Sequence, residues 1–65
     1  MVEEDSVRLG KWIHDLNNRV GTILATAELL QMEKLSPKAM DRSKLIETKA
    51  LELRDLIRQI SDHFI

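Results

Sequence analysis

Two runs of apolar residues step by four and three along this chain, and one Ser-Pro pair separates them. The first is Leu9, Ile13, Leu16, Val20, Ile23, Ala27 and Leu30; the second is Ile46, Ala50, Leu53, Ile57, Ile60 and Phe64. Alternating steps of four and three return a side chain to nearly the same helix face every seven residues. Each run therefore predicts one long amphipathic α-helix. The break falls at Leu35-Ser36-Pro37. The Ser36 hydroxyl is suited to accept a hydrogen bond from an orphan amide of the helix that follows. Pro37 sits at the first helical position, where its missing N–H costs nothing. Leu35 and Met40 have the spacing of a hydrophobic staple. The pattern predicts helix one over about 6–34, a loop at 35–36 and helix two over about 37–63, each on the order of 40 Å long.

The apolar faces are wider than a two-stranded seam requires. Trp12, Leu24 and Leu29 flank the first, and Met40, Leu45, Leu51 and Leu56 flank the second. One partner helix covers too little of such a face, so a lone hairpin would leave leucines and isoleucines in water along its length. A chain of 65 residues without cysteine also lacks the disulfide staples that hold many small domains together. The expected architecture is all-α: one domain over 1–65, folded as an antiparallel two-helix hairpin that pairs with a second copy as a homodimeric four-helix bundle. Two glycines and one proline fit a composition made for long helices. Arg58 with Asp62 and Lys49 with Glu52 are expected as solubilising surface pairs. Glu3, Glu4 and Asp5 suit a helix N-terminus, where negative charge meets the positive end of the helix dipole.

Ten basic against eleven acidic residues argue against a nucleic-acid surface. No apolar run approaches the roughly 20 residues of a membrane span, and no signal-peptide pattern opens the chain. The expectation is a cytoplasmic segment without membrane contact. His14 and His63 stand on different helices without carboxylate support, so neither a metal site nor a bound cofactor is expected in the chain itself.

The unusual stretch is His14-Asp15-Leu16-Asn17-Asn18, in which only Leu16 belongs to the seam. Asparagine is a mediocre helix former, and two in succession in mid-helix are not explained by propensity. His14 is expected just outside the apolar face with its imidazole in solvent. Asn18 lies one turn further along the same face, and Lys11 one turn behind. An exposed imidazole is largely neutral at pH 7 and is a good nucleophile for phosphoryl transfer. A neighbouring carboxylate, Asp15, has the chemistry to orient the ring and take the released proton, although side chains at i and i+1 do not face each other on a helix. Asn18 is suited to hold a water for the reverse, hydrolytic direction. Nothing in the stretch binds a nucleotide.

His14-Asp15-Leu16-Asn17-Asn18, mid-way along the first of two heptad helices and followed by Glu28-Leu29-Leu30, resembles the phosphoacceptor box of sensor histidine kinases. Over essentially its whole length the chain resembles the dimerisation and histidine-phosphotransfer domain of that family. The resemblance implies that His14 accepts a phosphoryl group from ATP by way of a separate ATP-binding kinase domain, which carries the ATP and Mg. It implies onward transfer to an aspartate of a response-regulator receiver domain. Asp15 matches the family's general base in the kinase reaction, and Asn18 the residue that supports dephosphorylation of the regulator. The common form of the box has a proline five residues after the histidine; this chain has Arg19. It has no room for the nucleotide-binding domain, so it would be catalytically incomplete alone, whether an excised domain or a stand-alone phosphotransfer protein.

Plainer readings stand beside these. His14 fits a solvated side chain, Asp15 a surface carboxylate paired with Lys11, and Asn18 an ordinary polar residue. Trp12 fits a packing residue at the edge of the bundle. Gly21, which costs about 1 kcal/mol in mid-helix, would be explained by close packing or local bending. The alternative function is a non-catalytic coiled-coil dimerisation or signal-relay hairpin. That reading accounts for the heptads but not for the polar run beside His14.

Overall fold

The computed structural model describes residues 3–64, so Met1, Val2 and Ile65 of the expected domain lie outside the described residues. Two α-helices account for nearly all of them: α1 (Glu3–Leu30) and α2 (Pro37–Phe64), 28 residues each. There is no strand among the described residues. The helices pack along their length as an antiparallel hairpin, a rod of 51 × 15 × 11 Å.

The start of α2 is built as the sequence predicts. The amide of Ala39 donates to Ser36 Oγ at 3.1 Å, and the amide of Met40 donates to the Ser36 carbonyl at 2.9 Å. The hydroxyl and carbonyl of one residue thus satisfy two amides of the first turn. The end of α1 differs from expectation. The helix stops at Leu30 rather than near residue 34. Met32 and Glu33 donate to the carbonyls of Leu29 and Leu30 at 3.0 and 3.1 Å, a tightened i to i−3 turn. Two residues do not suffice to reverse this chain onto its own helix, so α1 gives up its last turn to the connection. Gln31 is held there by its side-chain amide, which donates to Glu47 of α2 at 3.3 Å. At the other end α1 reaches back to Glu3, three residues beyond the expected start.

Where the core sits follows from helix geometry. Ile13, Val20 and Ala27 on α1 and Ser43, Ala50 and Ile57 on α2 are buried, each set spaced by seven. Ile13, Val20, Ala50 and Ile57 form one cluster, with Leu9 and Leu24 packed against it. Of the other seam residues, Leu16 and Ile23 on α1 and Ile46, Leu53, Ile60 and Phe64 on α2 are exposed, while Leu9 and Leu30 are half-buried. At about 100° per residue, a step of three from a buried position lands about 60° round the helix from it. In an antiparallel pair those displaced positions emerge on the same side of the rod. Ile23, Leu45, Ile46, Lys49, Ala50 and Leu53 accordingly line one shallow apolar recess between the helices. The seams are therefore split, half packing within the hairpin and half forming an open apolar face. Leu29, expected to widen the seam, instead stands exposed on the outside of α1.

Ser43 is the one buried polar residue described, 1% exposed. Its hydroxyl donates to the Met40 carbonyl at 2.8 Å and so enters the core without an orphaned group. Lys49 pairs with Glu52 at 3.2 Å as expected. Arg58 pairs with Asp55 at 4.0 Å and not with Asp62. Both positions are within one turn of Arg58, and backbone spacing alone does not choose between them.

Candidate functional site

His14 is exposed on the middle of α1, one residue beyond the buried Ile13. It stands about 120° round the helix from Val20, on the flank turned away from Leu16 and Ile23. The imidazole is therefore separated from the open apolar face and remains accessible if that face is covered.

Of the three expected site residues, the fold brings two together. Asn18 Nδ2 lies 3.3 Å from His14 Nε2, both side chains exposed and one turn apart. Asp15 is not part of this pair. It is half-buried and lines a recess with Trp12, Leu16 and Arg19, on the other flank of α1. Among the described residues it has neither a hydrogen bond to His14 nor the ion pair with Lys11 that the plainer reading expects. The cause is backbone geometry: successive side chains on a helix diverge by about 100°. Lys11 shares the His14 face but makes no hydrogen bond or ion pair with it among the described residues.

The helix around the pair carries contacts that spacing alone did not mark. The Arg19 guanidinium donates to the Asp15 carbonyl at 3.2 Å. Thr22 and Thr26 hydroxyls donate to the carbonyls of Asn18 and Thr22, at 3.1 and 2.7 Å. Three side chains thus share carbonyls four residues back, and for the two threonines this is a habit that slightly destabilises and often bends helices. The helix is nonetheless continuous through Arg19. Threonine hydroxyls in mid-helix were the available signal for these bonds, since threonine readily bonds back to the preceding turn. Gly21 has no positive φ, and a Cβ added there would meet nothing within 4 Å. Close packing within the hairpin therefore does not explain it. Trp12, 59% exposed, sits at the rim of the apolar face and not in the hairpin core.

No group of three His, Asp or Glu among the described residues is placed to hold a metal ion. His63 packs edge-on against Phe64 at the end of α2, with 4.6 Å between ring centroids. No helix among the described residues is long and apolar enough to cross a membrane. Compared with known proteins, the chain matches no family model, no curated protein and no solved structure.

Proposed function

We propose that the chain is the phosphoacceptor and dimerisation domain of a two-component sensor histidine kinase, with His14 as the residue that carries the phosphoryl group. The observation that supports this reading best is the solvent-facing imidazole of His14 with the Asn18 amide 3.3 Å from its Nε2, on a continuous helix of a two-helix hairpin. The phosphoryl donor is ATP held with Mg on a separate kinase domain. A ring nitrogen of His14 attacks the γ-phosphorus; the N–P bond forms as the bond to the β–γ bridging oxygen breaks, and ADP leaves with the electron pair. The proton released from the other ring nitrogen passes to a base. Asp15 serves by rotating its side chain towards the ring or by acting through one water. A proton then returns to the free ring nitrogen, the aspartate carboxylate of a receiver domain attacks the same phosphorus, and the N–P bond breaks with its electron pair on the ring, which leaves as neutral imidazole. In the hydrolytic direction Asn18 holds the attacking water.

The open apolar face belongs to the same proposal. Two hairpins joined through Leu16, Ile23, Ile46, Leu53 and Ile60 form a cytoplasmic homodimeric four-helix bundle, with both His14 rings left in solvent.

The test is labelling. With a sensor-kinase ATP-binding domain and ATP, the wild-type chain should take up acid-labile phosphate. His14→Ala should abolish the label while helicity and self-association persist. Label that survives in the variant assigns the nucleophile elsewhere. Self-association without any label in the wild type returns the chain to a non-catalytic dimerisation or signal-relay hairpin.

A further inference from the structure

One cation on the His14 side of the rod stands without a partner. Arg54 of α2 is half-buried, and among the described residues it makes neither a hydrogen bond nor an ion pair. Its own helix offers it no carboxylate, since the residues three and four away are Ala50, Leu51, Ile57 and Arg58. Arg58, by contrast, is 68% exposed at its side chain and paired with Asp55 at 4.0 Å. The register of the hairpin brings Arg54 close to His14. The buried cluster joins Ile13 and Val20 of α1 to Ile57 and Ala50 of α2. In an antiparallel pair that sets Ile57 abreast of Ile13, so Arg54 lies within about 3 Å of the level of His14 along the rod. Arg54 follows Ala50 by four residues and stands about 40° round α2, on the side away from Ile46 and Leu53; His14 stands on the matching flank of α1. Within one turn of His14, only Gly10 and Asn17 lie between the ring and α2 on that flank, and a Cβ added at Gly10 would meet nothing within 4 Å. The charged side chains around His14 there are Lys11 on α1 and Arg54, Arg58 and Asp55 on α2, with Asp15 on the other flank.

Resting on the phosphoacceptor reading of His14, we propose that Arg54 is the residue that binds the phosphoryl group once it is on the ring. A guanidinium presents parallel N–H donors in the geometry of two phosphoryl oxygens, and Arg54 has no carboxylate to give up first. Helix axes in such a pair lie about 8–10 Å apart. The guanidinium on its flexible stem and a phosphoryl group on the opposing ring close that span between them. Phosphorylation of His14 thereby ties α1 to α2 of the same chain by a charge-assisted contact. The flank that carries it is turned away from the open apolar face, so a second copy does not block it. The arrangement also accounts for an unpartnered arginine so close to the buried seam.

The test reads the phosphoryl group itself. Potassium phosphoramidate, which transfers its phosphoryl group to imidazoles as ammonia leaves, labels the ring without an enzyme. A His63→Asn background leaves one ring to react. Phosphorus NMR across a pH series then gives the protonation midpoint of the phosphoryl group on His14. The Arg54 cation favours the fully ionised form, so Arg54→Ala should raise that midpoint by about half a pH unit to one, with solvent screening allowed for. Arg54→Lys, which keeps the charge but not the fork, should fall between. Arg42→Ala removes the same charge from the other flank of α2, far along the rod, and should leave the midpoint alone. In the chain with Arg54 intact, the nitrogen-15 signal of its Nε–H should shift and its exchange with water slow on phosphorylation, which a merely structural arginine would not show. An unmoved midpoint in Arg54→Ala, an equal rise in Arg42→Ala or an unmoved Arg54 signal overturns the proposal, as does a His14 ring that takes no phosphate from the reagent. Failure of the phosphoacceptor reading looks different: the Arg54 effects stay, and a kinase domain with ATP fails to label the chain.

Discussion

Replacing Ile23 and Leu53 together by alanine removes the centre of the open apolar face while leaving the buried cluster of Ile13, Val20, Ala50 and Ile57 untouched. The two side chains are 47% and 42% exposed in the single hairpin. Complete burial of such a side chain is worth about 1.5–3 kcal/mol, so the uncovered half leaves about 1 kcal/mol for a second copy to gain at each position. Two-fold symmetry presents each position twice, which makes roughly 4 kcal/mol for the interface and, after allowing for the methyl that alanine keeps, a Kd weaker by about a hundred- to a thousandfold. Leu51 provides the control. It is 46% exposed, nearly the same as Ile23, but follows Ala50 by one residue and so lies about 100° round α2 on the opposite side. Sedimentation equilibrium across a concentration series measures both variants, with far-UV circular dichroism following helicity. The double variant should dissociate at concentrations where the wild type and Leu51→Ala remain paired. Equal weakening by Leu51→Ala would refute the reasoning, because area alone and not the face would then matter. A wild-type chain that never associates would refute it outright.

Two further substitutions probe the hairpin itself. Gly21→Ala should stabilise the fold by up to about 1 kcal/mol, since the added methyl meets open space and alanine restricts the unfolded chain. Thermal unfolding at fixed concentration would show a raised Tm, and a lowered one would mean that the empty space is occupied in the folded protein. Ser36→Ala removes the acceptor of the 3.1 Å bond from the Ala39 amide and should cost about 0.5–2 kcal/mol. Urea denaturation checks it; an unchanged midpoint would show that Ser36 is not acting as a cap.

The candidate site was legible in part. Residue type and spacing placed His14 and Asn18 one turn apart on a single face, because an α-helix makes i and i+4 neighbours whatever surrounds it. The same rule set Asp15 aside from the ring, and the structure finds it in the recess with Trp12 and Arg19. Which ring nitrogen meets Asn18 was beyond reach, since it depends on side-chain torsions that spacing does not specify. The same limit explains Arg58: Asp55 and Asp62 are both neighbours along the helix, and only the rotamers choose Asp55.

What the sequence determined by itself is local and periodic. Two long helices, the Ser36 cap with Pro37 behind it, and the position of the polar run follow from short-range hydrogen bonding and from hydrophobic period, which act within a few residues. The division of the seams and the end of α1 were decided by tertiary structure. Leu16 and Val20 both read as seam residues, yet Val20 is buried and Leu16 is not. A helix presents to one neighbour only a limited arc of its surface, and the angle at which α2 settles against α1 selects which arc that is. Gln31, Met32 and Glu33 are good helix formers with no glycine among them to mark an end. They leave the helix because the chain must turn back for Ile57 and Ala50 to reach Ile13 and Val20, and that long-range packing outweighs the few tenths of a kcal/mol by which local propensity favours another turn.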